Sequence, residues 1–237
     1  MALISKLTAI ADAIRDKTET ADTMTLDEMA ENISGIESGN TDTDLADSIV
    51  NRSITEYSSD TVTSIGAYAF YYSSLKGVSL SAATKINERS FQYSTDLQSI
   101  NAPLVTTIGN YAFAQNWELT DVYLPAVTSI GNYAFSTCTS LTAFAFGDDM
   151  ISLTGISIFR YSTALAKVWL PSTITTITAS AATSCPFYGC SSTLEIYTDV
   201  TDEDSIPEGW GTYWNYCASG STLTVHYGST YEEYEAA

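Results

Sequence analysis

The chain has 237 residues, 45% of them apolar, which is enough for a real core and excludes wholesale disorder. A formal net charge of −19 excludes nucleic acid as a partner, because nothing here neutralises a row of phosphates, and it argues against anionic membrane surfaces. The acids cluster at the two ends, with Lys6, Arg15, Lys17 and Arg52 the only basic residues before Ile54 and none after Tyr197, a pattern read as solubility.

In chain order, residues 3–17 place Leu3, Leu7, Ile10 and Ile14 on one face of an amphipathic helix. Asp12, Arg15 and Asp16 break any apolar stretch of the kind a signal peptide needs, and no segment reaches the ~20 apolar residues of a membrane span. The expectation is a chain made in a cytoplasm, without membrane insertion, and released by lysis. A second helix starts at Thr25, which forms a capping box with Glu28 while Met24 and Met29 supply the hydrophobic staple. Leu26, Met29, Ile33 and Ile36 line its apolar face. A helical hairpin over 1–36 is too small to stand alone, so Leu3, Leu7, Ile10, Ile14, Leu26, Met29 and Ile33 are expected to attach it to copies of itself or to another protein. Residues 37–53 read as a linker.

From 54 to 198 the sequence repeats. "TSIGAYAF", "TTIGNYAF" and "TSIGNYAF" recur at Thr63, Thr106 and Thr128. Aligned on Phe70, Phe91, Phe113, Phe135, Phe159 and Phe187, the steps are 21, 22, 22, 24 and 28 residues. Leu75, Leu97, Leu119, Leu141, Leu165 and Leu194 follow in phase, then Val78, Ile100, Val122, Phe144, Val168 and Tyr197. Leu80, Ala102, Leu124, Phe146 and Leu170 form another column, and Ile65, Ile86, Ile108 and Ile130 precede the glycine. Coincident columns at a near-fixed period specify a solenoid whose turns bury their apolar faces only by stacking. The glycine is read as the bend between two short strands.

These columns, best seen in "VTTIGNYAFAQNWELTDVYLP", resemble the BspA-like leucine-rich repeat. The resemblance implies short parallel β-strands with irregular outer segments. The segment "LTAIADAIRDKTETADTMTLDEMAENISGI" is similar to an N-terminal module on tail, baseplate and other appendage proteins of phages and prophages. That likeness implies a virion structural protein, held to other virion proteins through residues 1–36 as a homo-oligomer, by analogy with virion fibres a trimer. Its solenoid would recognise a host-surface glycan or protein. The alternatives are a bacterial cell-surface adhesin and an architectural capsid decoration protein.

The remaining chemistry reads as scaffold. Ser73, Ser94, Asn116, Cys138, Ser162 and Cys190 form a column of small polar residues expected to bond the loop backbone. Cys185 and Cys217 lie in irregular segments and could pair only if the insertion near Cys185 and the C-terminal cap meet, and four irregularly spaced cysteines give no metal motif. His226, the single histidine, reads as a strand residue; the acidic run Thr198–Ser205 lacks the glycine and terminal glutamate of a calcium loop. No phosphate or dinucleotide motif is present, so neither enzyme activity nor a cofactor is expected.

The column Tyr68, Arg89, Tyr111 and Tyr133 is read as self-stacking with a cation–π contact. Candidate ligand-binding residues are the outward strand positions, where the repeat imposes no residue type. Those positions run Gly77 and Ser79, Ser99 and Asn101, Asp121 and Tyr123, Ala143 and Ala145, and Lys167 and Trp169; Ser99, Asn101, Asp121, Tyr123, Lys167 and Trp169 are the candidates, with Tyr123 and Trp169 expected to be exposed. Residues 199–237 read as a small α/β cap in which Trp210, Tyr213, Trp214 and Tyr216 cover the last open rung.

Overall fold

The computed structural model describes residues 55–217 and 222–237. The helical hairpin, the linker and the attachment residues from Leu3 to Ile33 lie outside the described residues.

Each turn of the solenoid contributes two short strands and a run of tight turns. The first strands are β1 (Glu56–Ser59), β3 (Gly77–Leu80), β5 (Ser99–Asn101) and β7 (Asp121–Tyr123), then β9 (Ala143–Ala145), β11 (Lys167–Trp169), β13 (Glu195–Tyr197) and β15 (Thr224–His226). They pair in parallel as β1-β3-β5-β7 and as β9-β11-β13-β15. The second strands are β2 (Ser64–Ile65), β4 (Lys85–Ile86), β6 (Thr107–Ile108), β8 (Ser129–Ile130), β10 (Ser152–Leu153), β12 (Thr176–Ile177) and β14 (Gly209–Trp210). They stack as β2-β4-β6-β8 and as β10-β12-β14. Both stacks break between the fourth and fifth turns.

The third side of each turn carries the repeated word, and it is held by a ladder of its own. Tyr68, Phe70 and Tyr72 donate their backbone N–H to the carbonyls of Glu88, Ser90 and Gln92 in the next turn. Tyr111, Phe113 and Gln115 do the same to Asn132, Ala134 and Ser136. This alternation rests on left-handed residues two places before and after each Phe: Tyr68, Arg89, Tyr111, Tyr133 and Ser157 on one side, Tyr72, Tyr93, Gln115, Thr137 and Tyr161 on the other, with φ between 52° and 65°. The glycine of the word is not the bend. A Cβ on Gly109 would lie 2.4 Å from the Glu88 nitrogen, and one on Gly131 would lie 2.6 Å from that of Asn110. The glycine is required because the backbone of the previous turn passes against it.

The columns fill the core. Phe70, Phe91, Phe113, Phe135, Phe159 and Phe187 are fully buried, and their rings stack face to face at 5.0, 5.3, 5.1, 5.7 and 5.9 Å. Tyr57 closes one end of the stack, 4.8 Å from Phe70. Beside the rings, four members of the small polar column tie their turns to the one before, whereas the buried Asn116 amide, expected to do the same, makes no hydrogen bond. Ser94 Oγ donates to the Phe70 carbonyl at 2.7 Å and Cys138 Sγ to that of Phe113 at 3.2 Å. Ser162 Oγ donates to Phe135 at 2.8 Å, and Cys190 Sγ to Phe159 at 3.1 Å.

One column member is corrected by the register. Val168 pairs with Ile196, and Trp169 with Tyr197, so Ile196 enters the core and Tyr197 points to the opposite face. The shorter spacing after Leu194 causes the shift. At the C-terminal end, Trp210 sits opposite Ile177 and His226 opposite Tyr197, so residues 199–237 continue both stacks by a further rung. A final helix, α1 (Tyr231–Ala236), is capped by Thr230 and Glu233.

Candidate functional site: a cleft in the strand face

The outward side chains of the first strands form one surface, and the structure divides them. Ser99, Asn101, Asp121, Tyr123, Ala143, Ala145 and Lys167 border one cleft of about 690 Å³, and α1 adds Tyr231, Tyr234 and Glu235 to its far wall. Tyr123 is 59% exposed and Tyr231 44% exposed.

Trp169 behaves differently from its expected exposure. It is only 5% exposed, covered by Tyr231 at 5.6 Å and Tyr234 at 6.2 Å between ring centres. With Tyr197 and Tyr234 it forms a small apolar cluster against Ala143 and Ala145. The sequence signal was available in "YEEYEA", where Tyr231 and Tyr234 share a helical face, but its docking site lies some 60 residues earlier. Lys167 is also committed. Its Nζ donates to the Tyr234 carbonyl at 2.8 Å and sits 4.9 Å from the Tyr234 ring centre, holding the C-terminal turn of α1.

The cleft exists because β7 and β9 do not pair. The fifth turn places Phe144 and Phe146 where other turns carry Val or Ile and Leu or Ala. Phe144 packs 5.2 Å from Phe135 and 4.9 Å from Phe159, with Phe146 5.0 Å behind it. This bulk wedges the two strands apart. The turns meet again on either side of the gap, where Thr139 Oγ1 donates to the Trp117 carbonyl and a Cβ on Gly147 would strike the Pro125 carbonyl. Val122 shows the consequence: its column mates Ile100 and Val168 are buried, whereas Val122 is partly open. The third side stays continuous, with Phe135 donating to the Ile158 carbonyl at 2.9 Å.

Elsewhere the tempting residues are structural. Tyr111 and Tyr133 stack at 5.0 Å, and the Arg89 guanidinium sits 4.8 Å from the Tyr111 ring centre. Arg160 extends the same edge between Tyr133, Tyr161 and Tyr188. His226 stacks on Tyr197 at 4.4 Å, with Nε2 3.3 Å from Glu195 Oε2 but outside hydrogen-bond geometry. All four cysteines are buried, and Cys185 donates to the Tyr216 carbonyl, so the irregular segment near Cys185 meets the C-terminal cap. Burial pushes the Cys138 and Cys190 thiols up to about 12 and that of Cys185 up to about 11. Among the described residues, no group of side chains is arranged to hold a metal ion, and no helix is long and apolar enough to cross a membrane.

Comparison with known proteins agrees with this architecture. Residues 59–198 match the model of the BspA type leucine rich repeat region in six copies. No curated protein matches the sequence. Among solved structures, the pneumococcal vaccine antigen PcpA superposes with a TM-score of 0.57 at 17% identity, over 73% of this chain and 42% of that one. A leucine-rich repeat protein from Eubacterium ventriosum gives a TM-score of 0.50 at 21% identity, over 61% of this chain and 39% of the other. The chain thus spans less than half the length of either similar structure, and at these identities the likeness is one of fold.

Proposed function

The chain belongs to the BspA-type leucine-rich repeat family, and on that premise we propose that it is a non-catalytic recognition protein of a bacterial cell surface, an adhesin that binds through its strand face. The cleft carries this reading. It opens among outward positions that the repeat leaves free to vary, and it places Tyr123, Asp121 and Asn101 at the surface beside the partly exposed Val122. The stacked columns are occupied with holding the scaffold and leave these positions for contact. Binding needs no chemistry, only shallow polar and aromatic contacts that multivalent display would strengthen.

Purified, labelled full chain should bind bacterial or epithelial cells, and Tyr123→Ala with Asp121→Ala should remove most of that binding without lowering the melting temperature. Undiminished binding by the double variant would overturn the assignment of the face. A second reading rests on the sequence of residues 1–36 alone, which favours an appendage of a phage tail, baseplate or capsid. Imaging of virions from a strain carrying the gene separates the two: tagged protein on the particle supports the appendage, and tagged protein confined to the cell envelope supports the adhesin.

A further inference from the structure

We infer that the cleft between β7 and β9 is a carbohydrate site for uncharged pyranose sugars; this rests on the reading of the strand face as the binding surface and adds the class of ligand.

The first argument is the main chain. Asp121 donates to the Gln98 carbonyl, and the Tyr123 carbonyl accepts from Ala102, so both residues spend their backbone groups on the β5 side. In a parallel ladder alternate residues face opposite neighbours, which turns the N–H and C=O of Val122 toward the gap. On the other bank, Lys167 donates to the Thr142 carbonyl and Phe146 to that of Trp169, so Ala143 and Ala145 face the gap in turn. No strand pairing joins the two banks. The opening therefore presents donors and acceptors side by side along a short slot, which suits a hydroxyl able to play both parts. Because the neighbouring turns touch at Trp117–Thr139 and at Pro125–Gly147, the slot is closed at both ends. It admits a compact ring from the solvent side but not an added strand running through.

The second argument is the rim. Tyr123 offers an exposed aromatic face on which the C–H side of a sugar ring can lie, and Tyr231 stands across from it. Between them Ala143 and Ala145 keep the floor flat and low. Asn101 and Ser99 supply uncharged polar groups at one end, while the Asp121 carboxylate, which accepts from Thr120 Oγ1 at 3.0 Å, can take two neighbouring hydroxyls.

The third argument is charge. Asp121 and Glu235 border the cleft, and its one cation, Lys167, is already bonded to the carbonyls of α1. A sialic acid or phosphorylated sugar would bring a negative charge to carboxylates with no free counter-charge among the lining residues, so the site selects neutral rings.

Saturation-transfer NMR on the full chain with maltose, lactose and chitobiose, and with 3′-sialyllactose as the anionic control, tests this. At least one neutral disaccharide should bind with a dissociation constant of about 5 mM or tighter. Tyr123→Ala should weaken it about tenfold, and Ala145→Arg, which fills the slot from a half-buried surface position, should abolish it. Failure of all three neutral sugars at about 10 mM, equal binding of 3′-sialyllactose, or unchanged affinity in both variants overturns the inference. Cell attachment by the same variants separates the two levels. If no sugar binds but Ala145→Arg still blocks attachment, the face stands and its ligand is a protein. If Ala145→Arg attaches normally, the face itself is the wrong surface.

Discussion

The fully buried Ser162 hydroxyl donates across 2.8 Å to the Phe135 carbonyl of the preceding turn and accepts from the Cys138 N–H at 3.1 Å. Ser162→Ala leaves both that carbonyl and the Cys138 N–H unsatisfied and should cost about 1–3 kcal/mol by urea unfolding. Ser162→Cys should cost less than half as much, because Cys138 and Cys190 make the same bond from the same column. Equal losses for the two variants would show that packing volume, not the hydrogen bond, matters there.

Thr137 holds φ of 60°, a left-handed conformation that a β-branched residue rarely adopts, and Gly189 occupies the corresponding position two turns on. Thr137→Gly should therefore stabilise the fold by about 1 kcal/mol. The same replacement at Gly131 in reverse, Gly131→Ala, should destabilise it, since the new methyl meets the Asn110 nitrogen. Thermal melts of the pair check both signs.

The open gap predicts a local pattern of amide exchange. Val122, Ala143 and Ala145 should exchange their amide protons much faster than Ile100, Val168 and Ile196, which lie inside paired strands. NMR-detected exchange at neutral pH reads this directly; protection of Val122 equal to that of Ile100 would mean that the strands close in solution.

Tyr234 covers Trp169 and supplies the carbonyl that binds Lys167. Tyr234→Ala should undock α1, shift the Trp169 emission to longer wavelength and expose the C-terminus to protease. Global unfolding should change little, because no β-ladder depends on α1. A melting temperature lowered as far as by a change in the Phe stack would show that the helix belongs to the main core.

Burial holds Cys138 and Cys190 near 12 against an ordinary 9.0, so the folded state keeps protons that the unfolded chain releases. Their contribution is full below pH 9 and is lost as pH rises from 9 toward 12, the sign expected for a raised pKa. Stability should fall over that window, and Cys138→Ser with Cys190→Ser should flatten the decline. Thiol reagents at pH 8 should label neither residue until the chain unfolds, since the thiolate is the reactive form.

The columns were legible because a stacked core imposes one residue type at one spacing, and the Phe, Leu and Ile columns fall where that period puts them. Its limits are equally physical. The left-handed backbone at Tyr68, Tyr111 and Tyr133 carries no mark in sequence, since tyrosine has no preference for it; the conformation is enforced by the bonds to the next turn. Phe144 and Phe146 look like ordinary apolar members of their columns, and only their volume against Phe135 and Phe159 opens the gap. The shortened spacing after Leu194 moves Tyr197 out of its column, and the cover over Trp169 arrives from the far end of the chain, beyond any local pattern. The outward residues Asn101, Asp121 and Tyr123 stand out in sequence by their failure to repeat, and they line one cleft.

The missing ladder between the fourth and fifth turns also gives the rod a place to yield. Every other pair of neighbouring rungs is laced along its strands, but here both strand stacks stop, while the backbone bonds from Tyr133, Phe135 and Thr137 continue on the third side. Under tension from its two ends the solenoid would open at this joint like a book about its spine, widening the cleft before any rung unravels.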